Sequence, residues 1–271
     1  MPKTIIIFFG PPGSGKGTQA EMLAKITDWK KISTGDLFRA EIAAGTKVGK
    51  IADKYIKAGK LAPDKAAIKL VEQGLKQKAS GFIFDGYPRN RQQLSDLLAI
   101  FKEFLKKGDQ VYAIEVAVSD KEVKHRLSQR RMCVCGKVYH LAYNPPINQG
   151  VCDICGDKLF TRNDDKPKVV AHRLKIYHHN NEPLLDYWRK QESPHEIPAK
   201  AGSEAISRGK PHEIPAKAGS EAISRGKPHE IPAKAGSEAI SRGKLIKIDG
   251  EQAIKKIHEE IMEKLNELKL V

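Results

Sequence analysis

A long apolar run is missing from this chain. The first apolar stretch, Ile5–Phe9, has five residues, against roughly 20 for a membrane-spanning helix. A Gly/Pro cluster ends it where a secretory leader would still be apolar, so neither span nor leader is expected. Cysteine is sparse too: four in 271 residues, Cys133, Cys135, Cys152 and Cys155, all in one short stretch. That excludes a disulfide framework spread through the fold. It points instead to a reducing compartment, the cytoplasm, and to a metal site. Acidic residues are outnumbered, 33 Asp+Glu against 48 Lys+Arg, for a formal charge of +15. Such a balance favours nucleotides, nucleic acid or acidic membranes, without choosing among them.

What is present is ordered. "KTIIIFFG", "GFIFDGYP" (ending its strand at Asp85) and "VYAIEVAV" are short, apolar and β-branched, and read as buried parallel strands. "GKGTQAEMLAKI" after the first has helical character. Ser119 with Glu122 forms a capping box for a helix expected to reach Arg131. Residues from Met132 to about Asn163 form a loop-rich insertion. Asp164 and Asp165 are N-cap candidates for a helix running to about Trp188, with Pro167 tolerated in its first turn. "LIKID" is a last strand, and Ile254, Ile257, Ile261, Leu265 and Leu268 stripe a final helix. Strands alternating with helices predict an α/β fold, a parallel sheet covered on both faces.

Gly10-Pro11-Pro12-Gly13-Ser14-Gly15-Lys16-Gly17-Thr18 follows the first strand and opens a helix. Glycines there let backbone N–H groups turn towards phosphates, and the helix N-terminus adds a favourable field. Lys16 would reach the β- and γ-phosphates. The strict pattern wants Ser or Thr directly after the Lys; here Gly17 intervenes and Thr18 comes one residue late.

"GPPGSGKGTQA" with that shifted Thr, "ISTGDLFR", "FDGYPRNRQQ", "RLSQRR", "VYH", "NPP", "TRNDD" and "KIDG" occur in family order and resemble the adenylate kinase family. The resemblance implies a P-loop kinase core (1–32, 63–128, 166–193 and 245–271), an AMP-binding lobe (33–62) and a lid (129–165), the lobes closing to exclude water. It implies ATP and AMP as partners, Mg²⁺ with the ATP, and a monomer. Gly13, Ser14, Gly15, Lys16, Gly17, Thr18, Arg126, Arg130, Val138, Tyr139 and Gln252 would meet ATP. Thr34, Arg39, Lys60, Leu61, Ala62, Gly86, Tyr87, Pro88, Arg89, Gln93, Arg162 and Arg173 would meet AMP. Lys16, Arg89, Arg130, Arg162 and Arg173 would serve the transfer, since guanidinium forks bind phosphate oxygens bidentately. Arg126, one turn before Arg130, would cover the ATP adenine. Asp85 and Thr18 would hold magnesium or its waters. The Gln93 amide both donates and accepts, which matches the N6 and N1 edge of adenine. His140 is open between a structural role and the ribose edge.

In metal-bearing lids of this family two Cys-x-x-Cys knuckles hold a structural Zn²⁺. "CDICG" supplies Cys152 and Cys155, whereas Cys133-Val134-Cys135 is one residue short. Four thiolates around zinc are the expected reading, with four reduced lid-core cysteines as the alternative. A UMP/CMP kinase, a zinc-ribbon nucleic-acid binder and an interaction scaffold are the competing functions. Gln93 argues against the first. No aromatic platform accompanies the knuckles for the second. The third would rest on "PHEIPAKAGSEAISRGK", which occurs three times without a difference from Pro194 to Lys244. Its period suits no solenoid unit, and a flexible passenger insertion in a surface loop is expected.

Overall fold

Residues 2–190, 195–196 and 241–271 are described by a computed structural model. The interior of the repeat, where the flexible excursion was expected, lies outside them.

Strands β1 (Thr4–Phe9), β2 (Lys30–Ser33), β3 (Gly81–Asp85), β4 (Gln110–Ala117) and β8 (Ser241–Asp249) run parallel, and β7 (His195–Glu196) joins antiparallel at one edge, in the order β2-β3-β1-β4-β8-β7. The period of two divides β1 between two cores. Ile5, Ile7 and Phe9 pack against α4 (Asp64–Leu75), α5 (Arg91–Phe104) and α7 (Pro167–Arg189) through Leu70, Val71, Leu97, Phe101, Leu184 and Trp188. Ile6 and Phe8 pack the other way, against α1 (Lys16–Thr27) and α8 (Ile254–Glu267) through Leu23, Ile257, Ile261 and Leu265. Both faces are covered, so the strands are apolar throughout rather than alternating. Leu268 is 40% exposed and lies past the end of α8, so it drops out of the expected stripe.

Two lobes flank this core. Helices α2 (Thr34–Ala43) and α3 (Lys47–Lys57) fold together over Gly49, where a Cβ would lie 2.1 Å from the Glu41 carbonyl oxygen. Only glycine allows that approach. The second lobe carries β5 (Arg130–Met132) and β6 (Val138–His140), an antiparallel pair.

Several local expectations change. Helix α6 spans Asp120–Gln129 and does not reach Arg131, because Arg130 leaves the helix to pair in β5. Ser119 Oγ accepts from Glu122 N–H at 3.4 Å, but the reciprocal half of the box is absent: Ser119 N–H donates to Glu251 Oε1 at 2.9 Å and Glu122 pairs with Arg126. Asp164 and Asp165 do not cap α7. They form a 3₁₀ turn (Asn163–Asp165), Lys166 is the N-cap, and Pro167 is the first helical residue. The aspartates are engaged with arginines instead, as described below.

The last strand is longer than "LIKID", because Ser241–Lys244 of the third repeat copy extend it. Between Val111↔Arg242 and Ala113↔Leu245 the register shifts, so Gly243 and Lys244 oppose the single Tyr112. His195 and Glu196 of the first copy pair with Arg242 and Ser241. The two ends of the insertion thus meet as hairpin strands, with Glu196 opposite Ser241. A two-residue Asn-Gly turn suits that closure. Replacing 197–240 by Asn-Gly is expected to keep the melting temperature within about 3 °C, since a 1 kcal/mol change moves it by about 2–4 °C in a chain of this size. A drop beyond about 10 °C in a thermal melt would mean the removed residues hold the fold.

Candidate functional site

The site starts where β1 ends. Gly13 has φ +80°, and a Cβ on it would lie 2.8 Å from the Leu127 side chain. Gly15 has φ +91° and is the N-cap of α1, with no side-chain cap and no acidic residue in the first turn. The orphan N–H groups of this helix end therefore have no side chain to satisfy them, which suits an incoming anion. Ser14 Oγ is buried without a partner, and Ser14 N–H donates to the Pro11 carbonyl at 3.1 Å. Lys16 Nζ donates to the same carbonyl at 3.0 Å. Thr18 is exposed on the first turn. Asp85 lies at the end of β3, close enough that a Cβ on Gly17 would be 3.0 Å from its Oδ2, and Ser33 Oγ donates to that oxygen at 3.2 Å.

Around the loop the fold gathers cations from separate elements: Arg39 from α2, Arg89 after β3, Arg130 at the start of β5, Arg162 before the 3₁₀ turn and Arg173 from α7. Burial pushes Lys16 down to about 8; Asp85 opposes this, and Arg89, Arg173 and Arg130 add to it. Burial lowers Arg89 to about 10 with Arg173 and Arg39 contributing, and lowers Arg162 to about 10 with Arg130 and Arg39 contributing. Arg173 is lowered by burial while Asp164 works against it. These are groups that repel one another in a partly dry space.

The counter-charge comes from Asp164 and Asp165. Asp165, buried, accepts from Arg130 Nε at 2.8 Å and Nη2 at 2.5 Å, and from Arg173 Nη1 at 3.4 Å. Asp164 pairs with Arg173 at 3.0 Å and Arg162 at 3.5 Å. Burial works to raise the Asp164 carboxyl, and Arg173, Arg162 and Arg130 outweigh it, holding it below the usual carboxylate range. Arg39 pairs with Asp36. The two adjacent aspartates were legible only as helix caps, since the same residue type serves both roles.

On the side of the α2–α3 lobe, Thr34 Oγ1 donates to the Gly86 carbonyl at 2.8 Å and Arg89 Nε to the same oxygen at 2.5 Å. Gly86 has φ +73°, and a Cβ there would be 2.6 Å from Arg89 Nη2. Tyr87 is buried, and a cis bond joins it to Pro88. Gln93 is 3% exposed, and its amide already has protein partners: Nε2 donates to Asp64 Oδ1 at 2.7 Å and Oε1 accepts from Arg89 N–H at 2.8 Å. Lys60, Leu61 and Ala62 link α3 to α4, just after Gly59, where a Cβ would be 2.9 Å from Val169 of α7.

On the opposite side Arg126 donates to Glu122 at 2.7 Å and to the Ser14 carbonyl at 3.3 Å, and lies 6.0 Å from the Tyr143 ring centroid. Tyr143 stacks on His140 at 4.4 Å. The loop-rich stretch gave no periodic signal for Tyr143, so it was missed. Val138 is exposed at 42%; Gln252 donates to Glu260 at 3.2 Å. Tyr139 is 2% exposed and packs with Cys133 and Cys152, its Oη accepting from Asp153 N–H at 2.8 Å. Its ring belongs to the core of the second lobe, so a contact with ATP at this position would fall to its backbone.

All four cysteines are free thiols, and their sulfurs lie within 4.8 Å of one another, with Cys133–Cys155 at 3.2 Å and Cys135–Cys152 at 3.6 Å. Four sulfurs at about 2.3 Å from a tetrahedral zinc would be about 3.8 Å apart, so the set can hold such an ion. The shortened knuckle closes all the same: Gly136 N–H donates to the Cys133 carbonyl at 3.0 Å, as Gly156 N–H does to Cys152 at 2.9 Å, both glycines at positive φ. Burial raises the Cys152 thiol, but hydrogen bonds from Tyr139 and from the backbone of Cys155 and Ile154 outweigh it, leaving it at about 6.

A family model described as adenylate kinase matches residues 8–193, stopping one residue before the first repeat. An adenylate kinase of Methanothrix thermoacetophila is 46% identical over 187 residues, 68% of this chain and 86% of that protein. One from Archaeoglobus fulgidus is 43% identical over 204 residues, 74% of this chain and 93% of its own. One from Acidothermus cellulolyticus is 44% identical over 205 residues, 74% and 94%.

Proposed function

Because this chain belongs to the adenylate kinase family, we propose that its arginine-lined cleft carries the reversible transfer of the terminal phosphoryl group from ATP to AMP, giving two ADP. The observation that supports this best is the cation cluster. Lys16, Arg39, Arg89, Arg130, Arg162 and Arg173 surround one space, where burial and neighbouring cations together lower the proton affinity of Lys16, Arg89, Arg162 and Arg173. Two polyanions meeting in line need that charge, with alignment and dryness and little covalent work.

In this reading the glycine loop and Lys16 cradle the donor phosphates. Arg39 and Arg89 take the acceptor phosphate; Arg130, Arg162 and Arg173 take the group in transit. Asp164 and Asp165 keep the last three poised without neutralising them, because each aspartate is shared among several guanidiniums. Arg126 over Tyr143 and His140 forms a flat edge for the donor base. Magnesium would be held, directly or through water, by Asp85 and Thr18. When bound it screens the phosphates from each other. Gln93 contacts the acceptor base.

Acceptor choice tests this. ADP formation from ATP with AMP, UMP, CMP and GMP should show AMP preferred by at least about a hundredfold in kcat/KM, and dependence on magnesium. A preference for a pyrimidine would make the protein a UMP/CMP kinase of the same fold. Salt-sensitive oligonucleotide binding without AMP-dependent ADP formation would make it a nucleic-acid binder.

The lid sulfurs support one structural Zn²⁺ on Cys133, Cys135, Cys152 and Cys155, closed to substrate. Unbridged thiols suit a reducing compartment such as the cytoplasm. Protein purified without added zinc should carry about one zinc per chain, and chelation should lower its melting temperature. A ratio near zero would leave four reduced cysteines as the lid core.

A further inference from the structure

Gln93 is held by partners of opposite kind. Asp64, the first residue of α4, accepts from Gln93 Nε2 at 2.7 Å through Oδ1, and the same oxygen accepts from Asn90 Nδ2 at 3.0 Å. Arg89 N–H donates to Gln93 Oε1 at 2.8 Å, and Asn90 Oδ1 caps α5 by accepting Gln93 N–H at 2.8 Å. An ionised carboxylate only accepts and a backbone N–H only donates. The two partners therefore decide which end of the amide is oxygen. One N–H and one lone pair of the amide stay uncommitted, in a fixed order. That order matters to a purine. Adenine presents a donor at N6 and an acceptor at N1. A 6-oxopurine presents an acceptor at O6 and a donor at N1. A freely turning glutamine would serve either by rotating half a turn. Here that rotation would set Oε1 against the Asp64 carboxylate and Nε2–H₂ against Arg89 N–H, leaving buried groups of like kind face to face.

We propose that Asp64 is a specificity-determining positioning residue: it locks the rotation of the Gln93 amide, so that the acceptor site takes a 6-aminopurine monophosphate and rejects a 6-oxopurine one. This rests on Gln93 contacting the acceptor base. Discrimination then comes as much from the repulsion built against the wrong base as from attraction to the right one.

The test is kcat/KM for AMP and IMP, which differ only at position 6 and N1, in the wild-type, Asp64→Asn and Gln93→Ala proteins. An asparagine at 64 can turn to accept or donate, so the Asp64 half of the lock is released while the Arg89 N–H donor stays. Asp64→Asn should raise the IMP:AMP ratio by at least about tenfold, a change of that size being about 1.4 kcal/mol, with acceptor KM moving more than kcat and ATP KM least. A ratio within threefold of wild type overturns the lock. If Gln93→Ala leaves AMP KM unmoved, the base-contact reading itself is wrong, and the lock with it. If Gln93→Ala raises AMP KM while Asp64→Asn leaves the ratio unchanged, only the lock falls. Should Asp64→Asn not fold, ¹⁵N relaxation of the Gln93 side-chain amide in the wild-type protein decides. The lock requires it to be as rigid as the backbone, and a freely turning amide overturns it.

Discussion

Crowding of six cations around one cleft, Lys16 with Arg39, Arg89, Arg130, Arg162 and Arg173, is the constraint on which the rest of this structure depends. Two like charges about 6 Å apart at an effective dielectric of about 20 repel by about 3 kcal/mol. Burial and this repulsion together lower the proton affinity of Lys16, Arg89, Arg162 and Arg173, and Arg130 and Arg173 share Asp165. Such a cluster destabilises the empty fold. It is held together by hydrophobic cores on both sheet faces and by two adjacent carboxylates, and bound phosphate would relieve it. Binding and catalysis then draw on one source, charge arranged in advance of the substrate.

The cluster also explains the architecture. No single helix or loop carries the cations; they come from the start of α1, a lobe helix, two strand ends, the residue before a 3₁₀ turn and α7. Bringing them together requires a sheet rigid enough to hold β1 and β3 in register, so that the glycine loop and Asp85 face each other across Gly17. The four sulfurs lie in the small β5–β6 lobe, which has little apolar core and would gain order from a metal.

Much of this was legible in the sequence, for identifiable reasons. The apolar runs marked the parallel strands because both faces are buried. The glycine loop marked the phosphate site because its backbone geometry excludes side chains. The arginines were legible by their offsets to those motifs. What was not legible depended on pairing across the chain. Asp164 and Asp165 looked like caps because capping and ion pairing use the same carboxylate. Tyr139 was assigned to ATP by resemblance, and that its ring would fill the core beside Cys133 and Cys152 was not legible. Asp64 carried no signal, since its partner is 29 residues away in sequence. The repeat read as a simple loop insertion, and nothing in its composition showed that its two ends would pair as strands at the sheet edge.

Burial and neighbouring cations together hold down the proton affinity of the cluster until phosphate arrives, and Lys16 reports it most directly. Its ammonium is lowered to about 8 in the free protein, and donor phosphates would raise it again, so binding near that pH must take up a proton. Calorimetric titration with MgATP, without acceptor, at pH 8 in two buffers of different ionisation enthalpy measures this. The account predicts net uptake of up to about half a proton per ATP, fading below about pH 6.5 and absent in Lys16→Met. No uptake at pH 8, or uptake that survives Lys16→Met, would contradict it.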